Sequence, residues 1–206
     1  MKKRFSAKWK IWELSLAGGL LLAILLSSFL PFQNACSQVR SDTLRLHILA
    51  NSDSEEDQAL KLAVRDAILE TQADLFGSAA SKEEAMETAR QQMENIQAVA
   101  QQTVREAGYS YPVTARLENL YFATREYEDF TLPAGRYDAV RIEIGEHQGH
   151  NWFCVLFPPL CVPAAVDSDE FPQYSDEEEW VVKSPYQIKF AAVELLEQLK
   201  EELRQP

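Results

Sequence analysis

Positive charge is scarce over most of this chain. Of its 20 basic and 32 acidic residues, residues 1–40 hold six basic and one acidic, which leaves 14 basic and 31 acidic, a formal −17, for residues 41–206. A surface of that sign repels nucleic acid and anionic lipid, and leaves cationic protein surfaces as the compatible partners. No internal repeat and no Gly/Ser-rich linker interrupts residues 41–206, which excludes a solenoid or a string of tethered units. Histidine and cysteine are scarce too, three of each. His47, His147 and His150, taken with Cys154, match no recognised zinc pattern, because the HQGH pair is too short for the helical HExxH spacing and falls in an expected turn. No metal, cofactor or small-molecule substrate is expected.

What is present begins with an export signal. Lys2, Lys3, Arg4, Lys8 and Lys10 precede residues 14–30, LSLAGGLLLAILLSSFL, an uncharged run that ends at Pro31. By the positive-inside bias, residues 1–13 stay cytoplasmic and everything after Pro31 is exported. The run is near the lower length limit of a spanning helix and longer than the usual apolar core of a signal peptide, so membrane anchor and cleaved signal both stay open. Gln33-Asn34-Ala35 is a poor cleavage site, and Gln33 stands where a lipoprotein box wants an aliphatic residue, which leaves Cys36 as a plain thiol near the membrane. Residues 31–42 read as a linker and 43–206 as one exported domain, since about 165 residues suit a single core.

Residues 43–50, TLRLHILA, have a strand's period, with Leu44, Leu46 and Ile48 on one face and Arg45, His47 and Leu49 on the other. Asn51-Ser52-Asp53-Ser54 stops the strand and supplies helix N-caps, and Glu55, Glu56 and Asp57 suit the dipole of a first helical turn. Leu60, Val64, Ala67 and Ile68 continue at helical spacing to Gly77. Ser81 with Glu84 opens a second helix whose Met86, Ala89, Met93, Ile96 and Ala100 form one stripe as far as Gly108. Strand alternation returns after Pro112, and again in YDAVRIEIG, where Val140, Ile142 and Ile144 share a face. The short connection 145–149 predicts that residues 151–157 return antiparallel as a hairpin, ended by Pro158-Pro159. Residues 167–179 read as an acidic surface loop, and 186–204 as a helix with an apolar stripe of Ile188, Ala192, Leu195, Leu199 and Leu203. The order implies an α+β fold: a single domain with a mostly antiparallel sheet of about four strands packed by about three helices, after one N-terminal transmembrane or signal segment.

Residues 149–161, GHNWFCVLFPPLC, admit two readings. A Cys154 nucleophile with His150 or His47 as base needs only hydrogen-bond reach. On an extended segment His150 and Cys154 share a side but lie about 13 Å apart at ~3.3 Å per residue, whereas His47 on a neighbouring strand would come closer. No cysteine-hydrolase signature surrounds Cys154. The other reading, a Cys154–Cys161 disulfide across the Pro-Pro turn, suits an exported domain and would contribute on the order of 2 to 3 kcal/mol. It is favoured, and no catalytic residue is assigned.

Three segments carry a family resemblance: RLHILANSDSEEDQALKLAVRDAIL, LPAGRYDAVRIEIGEHQGHNWFCVLFPPLC, and the basic start with its single apolar run. The chain resembles stage II sporulation protein R. The resemblance implies a signal: a protein made in the forespore and exported into the space between the two membranes. There it triggers a membrane-embedded mother-cell aspartic protease that cleaves the precursor of sporulation sigma factor E. The expected contact residues are Asn51, Ser52 and Asp53 after the first strand and His150, Asn151 and Trp152 before the last, where polar groups cluster at strand ends. The membrane partner is met through residues 14–30. An exported hydrolase acting on cell wall or peptide is the alternative.

Overall fold

All six residues of the first strand are buried, polar ones included, and that property organises the sheet. A computed structural model describes residues 2–127, 130–160, 174–185 and 187–204. In chain order it contains α1 (Lys2–Asp42), β1 (Leu44–Leu49), α2 (Glu55–Gly77), α3 (Lys82–Glu106), β2 (Val113–Phe122), β3 (Arg125–Glu126), β4 (Thr131–Leu132), β5 (Gly135–Ile144), β6 (Asn151–Phe157), α4 (Asp176–Val182) and α5 (Gln187–Glu202). The four long strands form one sheet in the order β2-β5-β1-β6, and β3 pairs with β4 alone. β1 runs parallel to β5, while the β2–β5 and β1–β6 pairs are antiparallel. The fold is α+β, with a four-stranded, mostly antiparallel sheet.

The expected β5–β6 hairpin does not form: β1 lies between the two strands, with Leu46 opposite both Val140 and Cys154. A strand covered on both faces is poorly suited to an edge, where one row of its backbone groups would go unpaired. The β5–β6 connection therefore passes over the end of β1. It is fastened there by Gln148 N–H donating to Asn51 O (3.2 Å) and Gly149 N–H to Ala50 O (3.0 Å).

One face of the sheet carries α2 and α3. Leu44, Leu46, Ile48, Val140, Ile142 and Cys154 meet Leu60, Val64, Ile68, Ala89, Ile96 and Ala100 there. Ser54 Oγ accepts from Asp57 N–H at the start of α2, and Ser81 caps α3 through Glu84 N–H. Met86 and Met93 pack against this core, half-buried.

The second face differs from expectation in three places. Residues 31–42 are no linker. Helix α1 continues through Pro31, and Phe32, Ala35, Cys36 and Val39 are buried with Val155, Val181, Phe190 and Val193. Spacings of three and four residues put those four side chains on one helical stripe, which gives the helix a reason to continue. The acidic stretch 167–179 ends in a helix, because Ser175 and Glu178 close a capping box; residues 167–173 lie outside the described residues. Helix α5 turns its expected apolar stripe outward: Ile188 and Leu203 are 87% exposed and Leu195 59%. Its inner face holds Phe190 and Val193, together with Glu197, which pairs with Arg40 at 3.5 Å, and Glu201, which pairs with Arg136 at 2.5 Å. Arg40 and Arg136 lie far away in sequence, so the pairing that orients α5 is invisible to periodicity.

Candidate functional site

The candidate contact residues do converge at the C-terminal end of β1. The loop from β1 to α2 and the connection from β5 to β6 meet there, and short polar side chains hold them together. Asn51 Oδ1 accepts from Glu146 N–H (2.9 Å) while its amide donates to Asp57 (2.8 Å). Ser52 Oγ donates to the same Asp57 carboxylate at 2.5 Å. A side chain at Gly149 would strike the Ser52 carbonyl, and one at Gly145, where φ is +58°, would strike Asn51. Asn51 is thus spent on joining the two loops and Ser52 on fastening its own loop to α2, and little of their bonding capacity faces outward.

Asp53 and His150 are presented instead. Asp53 Oδ1 accepts from His150 N–H at 2.6 Å and faces its ring Nδ1 at 2.5 Å, with both side chains largely exposed. These contacts, the backbone one first, hold the Asp53 carboxyl below the usual carboxylate range. From beneath, the nearly buried Lys61 ammonium donates to His150 O at 2.9 Å. The Nδ1 contact orients an imidazole that is otherwise largely exposed. Asn151 beside it is exposed, whereas Trp152 is half-buried against the α2–α3 core under the Arg65 guanidinium (5.2 Å).

Among the described residues no nucleophile is hydrogen-bonded to the ring of this dyad. Cys154 is buried and disulfide-bonded. Register places it opposite Leu46, while His47 is opposite Phe153 and so on the other face of the sheet. The Cys154–His47 pair weighed from the sequence is therefore not assembled. Cys161 lies outside the described residues, and Cys36 is a free buried thiol in α1. His147 occupies the turn after β5 with φ 45°, and among the described residues no three His, Cys, Asp or Glu side chains gather as metal ligands.

On the second face of the sheet lies a feature that periodicity did not single out. Arg45 is fully buried, with Phe122 at 4.2 Å and Tyr137 at 5.0 Å from its guanidinium carbon and Nη2 donating to Tyr127 Oη (2.9 Å). His47, 8% exposed, stacks on Phe153 at 4.8 Å. Burial, reinforced by the Arg141 guanidinium, pushes the His47 imidazole down to about 4, so it is neutral at pH 7. Both residues line a cavity of about 390 Å3 whose walls come from β1, β2, β3, β5 and β6. The available signal was the polar alternation of LRLHIL itself, which reads as a solvated face unless the strand is known to be central.

Comparison with known proteins gives a consistent result. The family model described as Stage II sporulation protein R matches residues 40–167. A protein of that name from Bacillus subtilis (strain 168) is 35% identical over 140 residues, which is 68% of this chain and 62% of the relative. The match thus spans less than two thirds of the relative's own length. No solved structure matches the chain.

Proposed function

The chain belongs to the stage II sporulation protein R family, and from that premise we propose that it is an exported sporulation signal. In this reading it is made in the forespore and activates the membrane-embedded mother-cell aspartic protease that processes the sigma factor E precursor. It would act by binding the extracytoplasmic loops of that protease more tightly in the active state, a differential affinity that shifts the balance toward activity. The family match across the whole sheet-bearing region carries the reading.

The geometry adds support. Helix α1 is long and apolar enough to cross a membrane, and it passes without a break into the packed turns at Phe32–Val39. A domain joined in that way keeps a fixed attitude to the bilayer from which its partner projects. Cleavage at Ala35 would remove Phe32 and Ala35 from the second core, which favours retention of the helix at least to Phe29. The surface offered to the protease is Asp53, His150 and Asn151, with Trp152 as its support.

The test is precursor cleavage in a non-sporulating bacterium that co-expresses the protease and the precursor. The intact chain should promote cleavage. His150→Ala and Asp53→Ala should each lower it about tenfold, the effect of losing a central contact, with the melting temperature little changed. An exported, folded chain that yields no cleavage would refute the activation reading. Unchanged cleavage with both variants would move the contact surface elsewhere.

A further inference from the structure

The cavity on the second face of the sheet carries a chemistry that protease activation does not use. Arg45, Arg125 and Arg141 all line it, with His47 between them and Phe122 and Phe153 as apolar walls; among the described residues none that line it is Asp or Glu. That is three of the 14 basic residues of a region with formal charge −17, drawn into one concavity. At about 390 Å3 it falls within the range of small-ligand pockets.

Some of the donors there are left unpaired. Among the described residues no carboxylate pairs with Arg45, whose Nε and Nη1 are buried without a hydrogen bond. Its aromatic neighbours offer negative ring faces but no net charge. Arg141 is held by Glu143 at 2.8 Å and Glu118 at 3.5 Å, yet its Nε is also buried and unpaired. Neither ring nitrogen of His47 has a partner of normal hydrogen-bond geometry, although the Asn151 side chain is close enough to influence its proton affinity. Arg125 stacks on Phe153 at 4.6 Å from the rim. A sealed charge in a low-dielectric wall projects an undiminished potential into the space before it. Among the described residues, what Arg45 lacks is a counter-charge.

We propose that this cavity is a carboxylate-binding site, in which the acid meets the Arg125 and Arg141 guanidinium groups over His47 and the buried Arg45 charge, and an apolar or aromatic group packs on Phe122 and Phe153. A carboxylate suits it better than a phosphate. The donors are side-chain forks beside aromatic walls, with no glycine-rich loop or helix N-terminus to cradle a dianion. The acid can come from a free small molecule or from the end of a peptide chain. The cavity meets the proposed contact surface at Asn151, but ligand affinity and precursor cleavage are read separately, so either reading can fail without the other.

Binding is measured by calorimetry on the full-length chain in phosphatidylcholine nanodiscs. The probes are 3-phenylpropionate, its neutral amide, inorganic phosphate, and acetyl-Gly-Gly-Phe with a free or amidated end. Each acid that binds should do so about tenfold or more tighter than its amide, the effect of a charge-assisted hydrogen bond, and phosphate should bind no better than the amide. Binding of 3-phenylpropionate alone points to a free acid, and binding of the acid peptide as well to a chain end. Arg125→Gln and His47→Gln should each erode the preference for acid while the fold persists. Arg45→Met should abolish it, and where that variant fails to fold the other two decide. Equal affinity for acid and amide, no binding at millimolar concentration, phosphate binding tighter than either acid, or a preference unaltered in the Arg125→Gln/His47→Gln double variant would each overturn the proposal.

Discussion

At the scale of single residues, His47 is the group whose environment departs most usefully from water. Its imidazole is stacked on Phe153 and edge-on to Phe122 at 5.7 Å, with Arg141 as a charged neighbour. Burial lowers its proton affinity from the ordinary 6.5 to about 4. Above pH 6.5 the imidazole is neutral in both folded and unfolded chains, and its full stabilising share is present. Between about 6.5 and 4 the unfolded chain takes up a proton that the folded chain refuses, so stability falls as pH falls. The full loss is about 3 kcal/mol, reached near pH 4. Urea unfolding at pH 7 and pH 4.5 should show most of this decline in the natural chain and a much shallower one in His47→Gln. Asp53 does not confuse the measurement, since its carboxyl is held below the usual range and its contribution is lost only at lower pH. Parallel declines for both chains would place the acid sensitivity elsewhere.

At the scale of elements, the insertion of β1 between β5 and β6 depends on the short bridge over its end. Gly149 is where that bridge touches Ser52 and Ala50, too close for any Cβ. Gly149→Ala should therefore destabilise the chain by on the order of 1 to 3 kcal/mol, the usual cost of overpacking, and loosen β6 first. Amide exchange should accelerate at those β6 amides that bond to β1, while β2 and the β5 residues paired with it stay protected. An exchange pattern like that of the natural chain would show the bridge to be dispensable. The same junction shows what periodicity can and cannot reveal. Alternation and caps placed β1, α2, α3, β5 and β6 because each rests on neighbours within a few residues. Strand order, in contrast, is decided by which strand must be covered on both sides. Arg45 and His47 look like a solvated face until β6 and Phe122 are known to close over them. Helix α5 misled for a related reason: its charged face turns inward to Arg40 and Arg136, so the apolar residues are left outside.

At the scale of the molecule, the N-terminal apolar helix and the domain share a core. Phe32 meets Trp180 at 5.9 Å and Phe190 at 5.1 Å, both nearly edge-on, and Ala35, Cys36 and Val39 continue the same buried stripe. Truncating a buried Phe alone commonly costs about 3 to 5 kcal/mol, and removing the four together strips one wall from the second core. Two shortened chains separate the consequences. A chain that begins at Phe29 retains the stripe and should keep α4 and α5 docked. A chain that begins at Thr43 should lose amide protection in α4 and α5 by about a hundredfold or more, and bind an apolar dye at the uncovered Val155, Val181 and Phe190. The core formed with α2 and α3 should persist in both, because none of its buried members comes from α1. Equal protection of α4 and α5 in the two chains would mean that the domain holds itself together without α1. Loss confined to the shorter one would mean that any processing that leaves the domain folded must cut before Phe32.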